Sequence, residues 1–228
     1  MSEVVGTWAI VVAAGEGSRL GADRPKAFVG FGGRVLLAQA LELMENHPAV
    51  DGVVVVVPAE WEEPASLLAE ELAAGKVRAA VAGGATRARS VAAGLAELPG
   101  EAGVVLVHDA ARPLASAELV TRLLEGLAEG ADGVVPVLPV PDTIKRVEGG
   151  RVVETLDRSG LRAVQTPQAF LAASLRQAYD AAGAALDSAT DCASLLEAAG
   201  MQVAVVAGER TNLKVTEPAD LRIAEALR

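Results

Sequence analysis

Uninterrupted apolar runs alternate along the chain with segments whose apolar residues have helical spacing. The clearest runs cover residues 8–14, 51–57 and 103–107, and a run without polar alternation is typical of a strand buried on both faces of a sheet. Further strands are predicted at 77–82, 132–137 and 201–207, and helices at 35–46, 64–74, 87–98, 116–129 and 218–227, with Ser116 as the N-cap of its helix. This alternation predicts an α/β fold with a doubly wound, mostly parallel sheet.

One segment interrupts this alternation. Residues 142–148 and 151–157 have the pattern of two short strands around Gly149-Gly150, which predicts a β-hairpin. The hairpin has few apolar residues with which to build a core of its own. It is either a surface hairpin or an arm that packs on a second subunit. We expect one domain over residues 1–228, with residues 139–160 as a dimerisation arm of a homodimer.

Composition narrows the class of protein. The net charge of −10 over 228 residues argues against a broad basic surface for nucleic acid, but it leaves room for a local basic pocket for a small anion. One cysteine and two histidines argue against a disulfide framework and against a zinc site. No apolar run approaches the length of a membrane span, and the N-terminus lacks the basic stretch of a secretory signal. We therefore expect a soluble, cytoplasmic protein without a membrane partner.

A glycine-rich loop follows the first strand. Gly15 and Gly17 allow backbone N–H groups to approach phosphate oxygens, and Arg19 and Lys26 add cations at the same strand end. Leu20 stands where a dinucleotide-binding fingerprint has its third glycine, which argues against a nicotinamide-dependent oxidoreductase. The Gly-Lys-Ser/Thr of a P-loop is also missing from the sequence. The loop is therefore predicted to bind an anion without belonging to either class.

Two more strand ends carry polar groups. Gly83-Gly84 is followed by Arg87 and Ser90, and the buried strand at 103–107 is followed by His108-Asp109 and then Arg112. Ligands of doubly wound folds bind at the carboxyl ends of the strands, so we expect these groups to face the glycine loop. Asp109 is suited to Mg²⁺, which prefers a carboxylate together with phosphates, and an arginine is a bidentate phosphate donor. We interpret His108 as a structural residue that orients the loop.

Five motifs then occur in a fixed order over nearly the whole chain. They read AAGxGxR and PK at residues 13–26, GGxxRxxSV at 83–91, HDAARP at 108–113, TPQxF at 166–170 and NLKVT at 212–216. This set resembles the family of 2-C-methyl-D-erythritol 4-phosphate cytidylyltransferases of the non-mevalonate isoprenoid pathway. The chain departs from the family pattern at Val12, Ala27 and Cys192, where proline, glutamine and an acid are common.

The resemblance implies transfer of CMP from CTP to 2-C-methyl-D-erythritol 4-phosphate, with Mg²⁺ as cofactor and pyrophosphate as the second product. It implies catalytic roles for Arg19, Lys26 and Lys214. It implies nucleotide binding by Ala13, Ala14, Gly15, Gly17, Gly83, Arg87 and Ser90. Binding of the second substrate would fall to Asp109, Arg112, Thr143, Arg158 and Thr190, and Asp109 would also hold the metal, directly or through water. Thr143 and Arg158 lie on the predicted arm.

Two other functions remain open from the sequence. The acceptor could be another polyol phosphate, such as ribitol 5-phosphate, since such a cytidylyltransferase would share most of these motifs. A nucleotide-binding regulator without catalysis is the other alternative. A regulator would need the glycine loop, but it would not need Lys26, Asp109 and Lys214 together.

Overall fold

The computed structural model describes residues 6–17, 20 and 23–228. Its strands are β1 (Gly6–Val12), β2 (Gly30–Phe31), β3 (Arg34–Val35), β4 (Gly52–Val57), β5 (Val77–Ala82), β6 (Ala102–Asp109), β7 (Gly133–Pro139), β8 (Lys145–Glu148), β9 (Arg151–Thr155), β10 (Arg162–Val164), β11 (Gln168–Leu171) and β12 (Val203–Ala207). Its α-helices are α1 (Leu36–Asn46), α2 (Glu62–Glu71), α3 (Arg87–Ala96), α4 (Ala117–Ala128), α5 (Ala172–Ala182), α6 (Cys192–Ala198) and α7 (Pro218–Ala226). Short 3₁₀ turns cover Lys26–Phe28 and Gly183–Ser188.

Eight strands form one mixed sheet, and most pairs of neighbouring strands within it are parallel. β5, β4, β1 and β6 lie side by side in parallel. β11 is inserted antiparallel between β6 and β7, while β7 also pairs with β10 in the antiparallel and with β12 in the parallel direction. The predicted doubly wound, mostly parallel sheet is therefore confirmed. The antiparallel strands β10 and β11 were not predicted.

Helices cover both faces of the sheet because successive strand residues point to opposite sides. In β4, Val53 and Val55 belong to the core shared with α1, α2 and α4, whereas Val54 and Val56 belong to the core shared with α3, α5 and α6. All six residues of β4 are buried. Burial of a valine or leucine side chain contributes roughly 1.5–3 kcal/mol, so these two apolar layers account for much of the stability of the fold.

A smaller apolar cluster joins a segment near the start of the chain to a segment near its end. Phe31 and Leu36, from the β2–β3 hairpin and the start of α1, pack against Val215 and against Ala224 of α7. The cluster therefore holds the segment after β12 close to the segment before β2. These two segments carry Lys214 and Lys26, the two described lysines that the sequence analysis assigned to catalysis.

The predicted elements are all present, with ends that differ by a few residues. Ser116 is the N-cap of α4, since its hydroxyl accepts a hydrogen bond from the backbone N–H of Leu119 at 3.1 Å. The helix predicted at 64–74 is displaced to Glu62–Glu71, and Ala73 beyond it has a φ of 52°, outside the helical region. None of the helices in the described ranges is long and apolar enough to cross a membrane.

The predicted hairpin is present as β8 and β9, and we refer to residues 139–160 as the arm. Every residue of its two strands is exposed to solvent. Val147, Val152 and Val153 are among the exposed apolar side chains of the molecule, at 56%, 60% and 51% exposure. The arm therefore presents apolar surface that its own chain does not cover, and its role in dimerisation stays a prediction.

Candidate active site

A cleft of about 570 Å³ opens at the carboxyl ends of the parallel strands. It is lined by Val12, Ala13, Ala14, Gly15, Glu16, Gly17, Lys26, Ala27, Gly84, Ala85, Thr86, Arg87, Ser90, Asp109, Ala110, Ala111, Lys214 and Thr216. The structure thus brings together the glycine loop, the turn before α3, the end of β6 and the segment after β12. This is the edge at which ligands of doubly wound sheets bind, as the sequence analysis expected.

The glycine loop is packed directly against the segment that carries Lys26. Gly17 has a φ of 71°, and a Cβ placed on it would lie 2.6 Å from the Cβ of Lys26. The backbone N–H of Lys26 donates to the carbonyl oxygen of Gly15 at 3.3 Å. Glycine is required at position 17 both by the left-handed conformation and by this close approach. The loop and Lys26 therefore form one unit at the mouth of β1.

The turn between β5 and α3 packs against the same loop. A Cβ on Gly83 would lie 2.4 Å from the Cβ of Ala14 and 2.7 Å from the Oγ of Ser90, so only glycine fits there. Thr86 is the N-cap of α3 and accepts a hydrogen bond from the backbone N–H of Arg89 at 3.2 Å. The hydroxyl of Ser90 donates to the carbonyl oxygen of Thr86 at 3.0 Å. Two glycine-containing turns therefore lie side by side along one wall of the cleft.

Asp109 lies between two cations at the centre of the cleft. Its Oδ1 accepts a hydrogen bond from Nε of Arg87 at 2.9 Å, and its Oδ2 accepts one from Nζ of Lys214 at 2.7 Å. Burial disfavours the charged form of a carboxyl group, yet these two neighbours outweigh it and hold the pKa of Asp109 well below its usual range. Burial likewise opposes the charge on Arg87, but Asp109 raises the pKa of Arg87. Asp109 and Arg87 are therefore both charged at neutral pH.

His108 faces away from the cleft into the protein. It is completely buried, and its Nδ1 lies 3.2 Å from the Oγ1 of Thr166. That same oxygen accepts a hydrogen bond from the backbone N–H of Asp109 at 3.0 Å. Burial lowers the pKa of His108 to about 4, so the imidazole is neutral at pH 7. This placement agrees with the interpretation of His108 as a residue that supports the loop.

Arg112 lies beside the cleft but is not among its lining residues. Its Nη1 donates to the carbonyl oxygen of Asn212 at 2.7 Å, and its Nη2 donates to that of Val164 at 3.3 Å. Burial lowers the pKa of Arg112. In this structure the guanidinium group supports the segment that leads to Lys214, and its assignment as a phosphate donor stays a prediction.

The other predicted site residues are separate from the cleft lining. Thr143 and Arg158 lie on the exposed arm, where the guanidinium of Arg158 donates to the carbonyl oxygen of Pro141. Thr190 is exposed just before α6. Arg19 lies outside the described residues, so the structure says nothing of its placement. Glu16, Thr86 and Thr216 also line the cleft but were not among the predicted site residues. The available signal was that Glu16 and Thr86 lie between motif residues and that Thr216 ends the motif at 212–216.

Cys192, which stands where the family commonly has an acid, lies in the protein interior. The thiol is completely buried, 3.3 Å from the hydroxyl of Tyr179 and 3.8 Å from Nη1 of Arg87. Burial raises the pKa of the Cys192 thiol, which keeps it protonated. This agrees with the interpretation of Cys192 as a small buried residue.

No group of three or more histidine, cysteine or acidic side chains that could hold a metal occurs within residues 6–17, 20 and 23–228. Asp109 and Glu16 are carboxylates in the cleft lining. Such a sparse set of ligands fits Mg²⁺ that is held mainly by substrate phosphates, because Mg²⁺ commonly binds one or two carboxylates together with them.

Comparisons with known proteins agree with one another over nearly the whole chain. The model of the family "IspD: 2-C-methyl-D-erythritol 4-phosphate cytidylyltransferase" matches residues 7–228. The enzyme of that name from Rhodococcus jostii is 50% identical over 220 residues, which cover 96% of this chain and 93% of that protein. The enzyme of that name from Rubrobacter xylanophilus is 44% identical over 223 residues, covering 97% of this chain and 94% of that protein.

Solved structures agree with the fold. The 4-diphosphocytidyl-2C-methyl-D-erythritol synthase of Anaerococcus prevotii superposes with a TM-score of 0.85 at 30% identity, covering 98% of this chain and 96% of that one. The 2-C-methyl-D-erythritol 4-phosphate cytidylyltransferase of Thermus thermophilus gives a TM-score of 0.79 at 39% identity, with 96% of each chain covered. Sequence and fold therefore place the chain in the IspD family of 2-C-methyl-D-erythritol 4-phosphate cytidylyltransferases, which are nucleotidyltransferase enzymes.

Proposed function

We propose that this enzyme transfers CMP from CTP to 2-C-methyl-D-erythritol 4-phosphate, giving 4-diphosphocytidyl-2-C-methyl-D-erythritol and pyrophosphate. The observation that carries this proposal is a cleft in which a glycine loop and Lys26 face Asp109 with its two cations. The cleft volume of about 570 Å³ lies within the roughly 300–1,000 Å³ of small-molecule sites. Family membership supplies the identity of both substrates.

The chemistry requires positioning and charge stabilisation. An oxygen of the acceptor phosphate attacks the α-phosphorus of CTP in line, and the bond from that phosphorus to the bridging oxygen of pyrophosphate breaks. Lys26 and Lys214 would stabilise the negative charge on the α-phosphate and on the departing pyrophosphate, together with Arg19. The backbone N–H groups of the glycine loop would hold the triphosphate.

The reaction needs no strong general base. A phosphate monoester is largely a dianion near neutral pH, because the second pKa of such a phosphate is about 6, so its oxygen is already nucleophilic. His108, the histidine next to Asp109, is buried and neutral and faces Thr166. The protein would therefore act through orientation of the two substrates and through fixed cations.

We also propose a requirement for Mg²⁺ that arrives with the nucleotide. The triphosphate would provide most of its ligands, and Asp109 would add a carboxylate, directly or through water. When bound, the ion would supply positive charge to the triphosphate. The two hydrogen bonds that already occupy Asp109 support an ion carried by the substrate over a resident one.

The arm suggests that the enzyme works as a homodimer. An isolated hairpin is marginally stable in water, and the exposed valines of β8 and β9 offer surface for a partner. A two-fold dimer would cover both arms reciprocally. Thr143 and Arg158 would then complete the site of the neighbouring subunit. We expect the reaction to take place in the cytoplasm, where nucleoside triphosphates are available.

Pyrophosphate release identifies the acceptor. The purified enzyme is assayed with CTP and Mg²⁺ against methylerythritol 4-phosphate, ribitol 5-phosphate and sugar 1-phosphates in separate reactions. We expect turnover with methylerythritol 4-phosphate and much less with the others. Preference for ribitol 5-phosphate would replace the acceptor in our proposal, and CTP binding without pyrophosphate release from any acceptor would indicate a regulator.

The same assay tests the metal. Activity should vanish in EDTA and return when excess Mg²⁺ is added. Asp109→Asn should raise the Mg²⁺ concentration needed for half-maximal activity or abolish turnover. Full activity in EDTA would show that cations of the protein alone handle the triphosphate.

A further inference from the structure

We propose that Gln165 is a positioning residue for Lys214: its side chain clamps the backbone of the loop that carries this lysine. The inference deepens the proposed function and rests on it where catalysis is the readout. Gln165 follows β10, and its backbone N–H donates to the carbonyl oxygen of Pro136 in β7 at 2.8 Å. The residue is buried, with 5% of its surface exposed. Its side chain points away from that strand pairing and reaches the loop after β12.

The three hydrogen bonds between the side-chain amide of Gln165 and this loop all involve backbone atoms of the loop. Nε2 donates to the carbonyl oxygens of Glu209 and Asn212 at 2.7 and 3.0 Å. Oε1 accepts from the backbone N–H of Glu209 at 2.9 Å. An amide that meets both the N–H and the C=O of one residue reproduces the pairing of a neighbouring strand. The backbone pairing of β12 with β7 ends at Ala207, and the side chain of Gln165 provides the hydrogen bonds to the backbone of Glu209 beyond that point.

The backbone of the loop is shaped around this amide. Gly208 precedes the clamped residue, and a Cβ placed on it would lie 2.5 Å from the Oε1 of Gln165 and 3.1 Å from the carbonyl oxygen of Val137. The absence of a side chain at position 208 leaves the space that the glutamine oxygen occupies. The clamp thus depends on two positions that are far apart in sequence.

The next residue, Thr166, contacts both the end of β6 at Asp109 and the loop that carries Lys214. Its hydroxyl accepts from the backbone N–H of Asp109 at 3.0 Å, and its carbonyl oxygen accepts from the side chain of Asn212 at 2.9 Å. Gln165 and Thr166 together therefore fix the two loops whose side chains meet at 2.7 Å in the contact of Lys214 with Asp109. A lysine has a flexible four-carbon stem, so the place of its ammonium group depends on how well its backbone is held.

The kinetic test removes the clamp and asks whether the loss depends on Lys214. Gln165→Met keeps the length of the side chain and deletes all three hydrogen bonds. We expect kcat to fall roughly 10- to 100-fold, the range expected when a catalytic group is displaced by about 1 Å. In a Lys214→Ala background the same substitution should change kcat less than about twofold, because residues that act through one another are not additive. Losses that multiply would overturn the proposal.

A second readout does not involve catalysis. The chain has four lysines, Lys26, Lys76, Lys145 and Lys214, and ¹³C-dimethylation makes their ammonium groups visible by NMR. The Lys214 signal, assigned with Lys214→Arg, should move in Gln165→Met while the Lys76 and Lys145 signals stay in place. An unmoved Lys214 signal would contradict the clamp whatever the acceptor is. A moved signal in an enzyme without turnover on any acceptor would leave the clamp intact and refute the proposed function instead.

A control variant tests whether a general loss of stability explains the effect. Ser174 lies in α5 and contacts Asp132, just before β7. Ser174→Ala deletes a hydrogen bond of 2.7 Å from the Ser174 hydroxyl to Asp132, and it should keep the wild-type kcat and the wild-type Lys214 signal. If Gln165→Met does not fold, Gln165→Glu replaces it in both tests. The glutamate keeps the acceptor for the N–H of Glu209 and loses the donor for the two carbonyl oxygens. Wild-type kcat and an unmoved Lys214 signal in Gln165→Glu would also overturn the proposal.

Discussion

The ion pairs of the cleft share one buried carboxylate, with the side chains of Arg87 and Lys214 22% and 40% exposed, whereas both partners of the ion pair on the arm lie in water. Asp109 is 6% exposed and is held from both sides by Arg87 and Lys214. On the arm, Arg146 meets Glu154 at a similar distance of 2.9 Å, but both side chains are more than half exposed. Water and salt screen the second pair much more than the first. Geometry that is nearly the same therefore has different electrostatic consequences in the two regions.

The difference teaches which region can act by itself. The cleft has fixed charges, supporting hydrogen bonds and glycine turns that fit against each other within one chain. The arm has exposed valines, and its Arg158 guanidinium donates to the carbonyl oxygen of Pro141 within the arm itself. We expect the cleft to provide most of the charge stabilisation and the arm to gain its function only against a partner surface. The predictions below test this division.

Lys26→Ala should have the largest effect on turnover. The backbone and Cβ of Lys26 pack against Gly17 of the glycine loop, so the point from which this side chain extends is fixed before the substrates bind. We expect kcat to fall by roughly 10²–10³, the scale for one preorganised charge-stabilising group, with a much smaller change in CTP affinity. Lys76→Ala is the matched control, because the Lys76 ammonium donates to the backbone of His47 away from the cleft. Near-wild-type turnover in Lys26→Ala would remove this role.

The arm is tested by mixing two inactive variants. Lys26→Ala and Arg158→Ala are each prepared, dissociated, mixed in equal amounts and reassociated. If the arm completes its neighbour's site, about half the dimers are mixed and one of the two sites in each mixed dimer is intact, so activity should return to about a quarter of wild type. If both residues serve their own chain, no mixed dimer has an intact site. Absence of recovery, with subunit exchange verified by mass labelling, would contradict the shared site.

Much of the sheet was predictable because its strands are long and apolar. β4 and β6 carry their own signal in uninterrupted valine and leucine runs, and the position of Asp109 follows from the end of β6. β10 and β11 were missed because they contain three and four residues and have no period of their own. α5 was missed although Leu175, Ala178 and Tyr179 give it helical spacing on its buried side.

The contacts within the site were harder to predict than its residues. Asp109 and Lys214 were both candidates, but they are 105 residues apart, and their contact depends on Gln165 and Asn212, two buried amides without a local pattern. The support that Arg112 gives to Asn212 is of the same kind. Such contacts depend on how a loop is held after the sheet has formed, and hydrophobic periodicity carries no information about that.

The free energy of unfolding should depend on pH through the buried wall of the cleft. Burial lowers the pKa of His108 to about 4 from an ordinary value of 6.5. Between these values the unfolded chain binds more protons than the folded one, so the free energy of unfolding falls as the pH falls, by up to about 1.4 kcal/mol per pH unit. Asp109 adds to this slope only below about pH 5, where the carboxyl of the unfolded chain begins to bind protons while the folded one, whose pKa is well below the usual range, stays charged.

Urea titrations at pH 7, 6 and 5 measure this slope. Burial also lowers the pKa of His47, so wild type combines both histidines. His108→Gln should lose most of the slope. His47→Gln, its control, should lose less of it, because His47 is also buried but its Nε2 lies 3.2 Å from the hydroxyl of Thr121, an exposed residue. A slope in His108→Gln equal to that of wild type would contradict a neutral His108.

The smallest effect is expected from the exposed ion pair of the arm. Arg146→Ala removes the contact with Glu154 between β8 and β9. Because both side chains are largely solvated before and after the change, we expect no measurable shift in the urea midpoint or in kcat. The double variant Arg146→Ala/Glu154→Ala serves as the control for the unpaired carboxylate. A clear loss of activity or of dimer affinity in Arg146→Ala alone would mean that a partner subunit buries this pair, and the electrostatic contrast between arm and cleft would then hold only for the isolated chain.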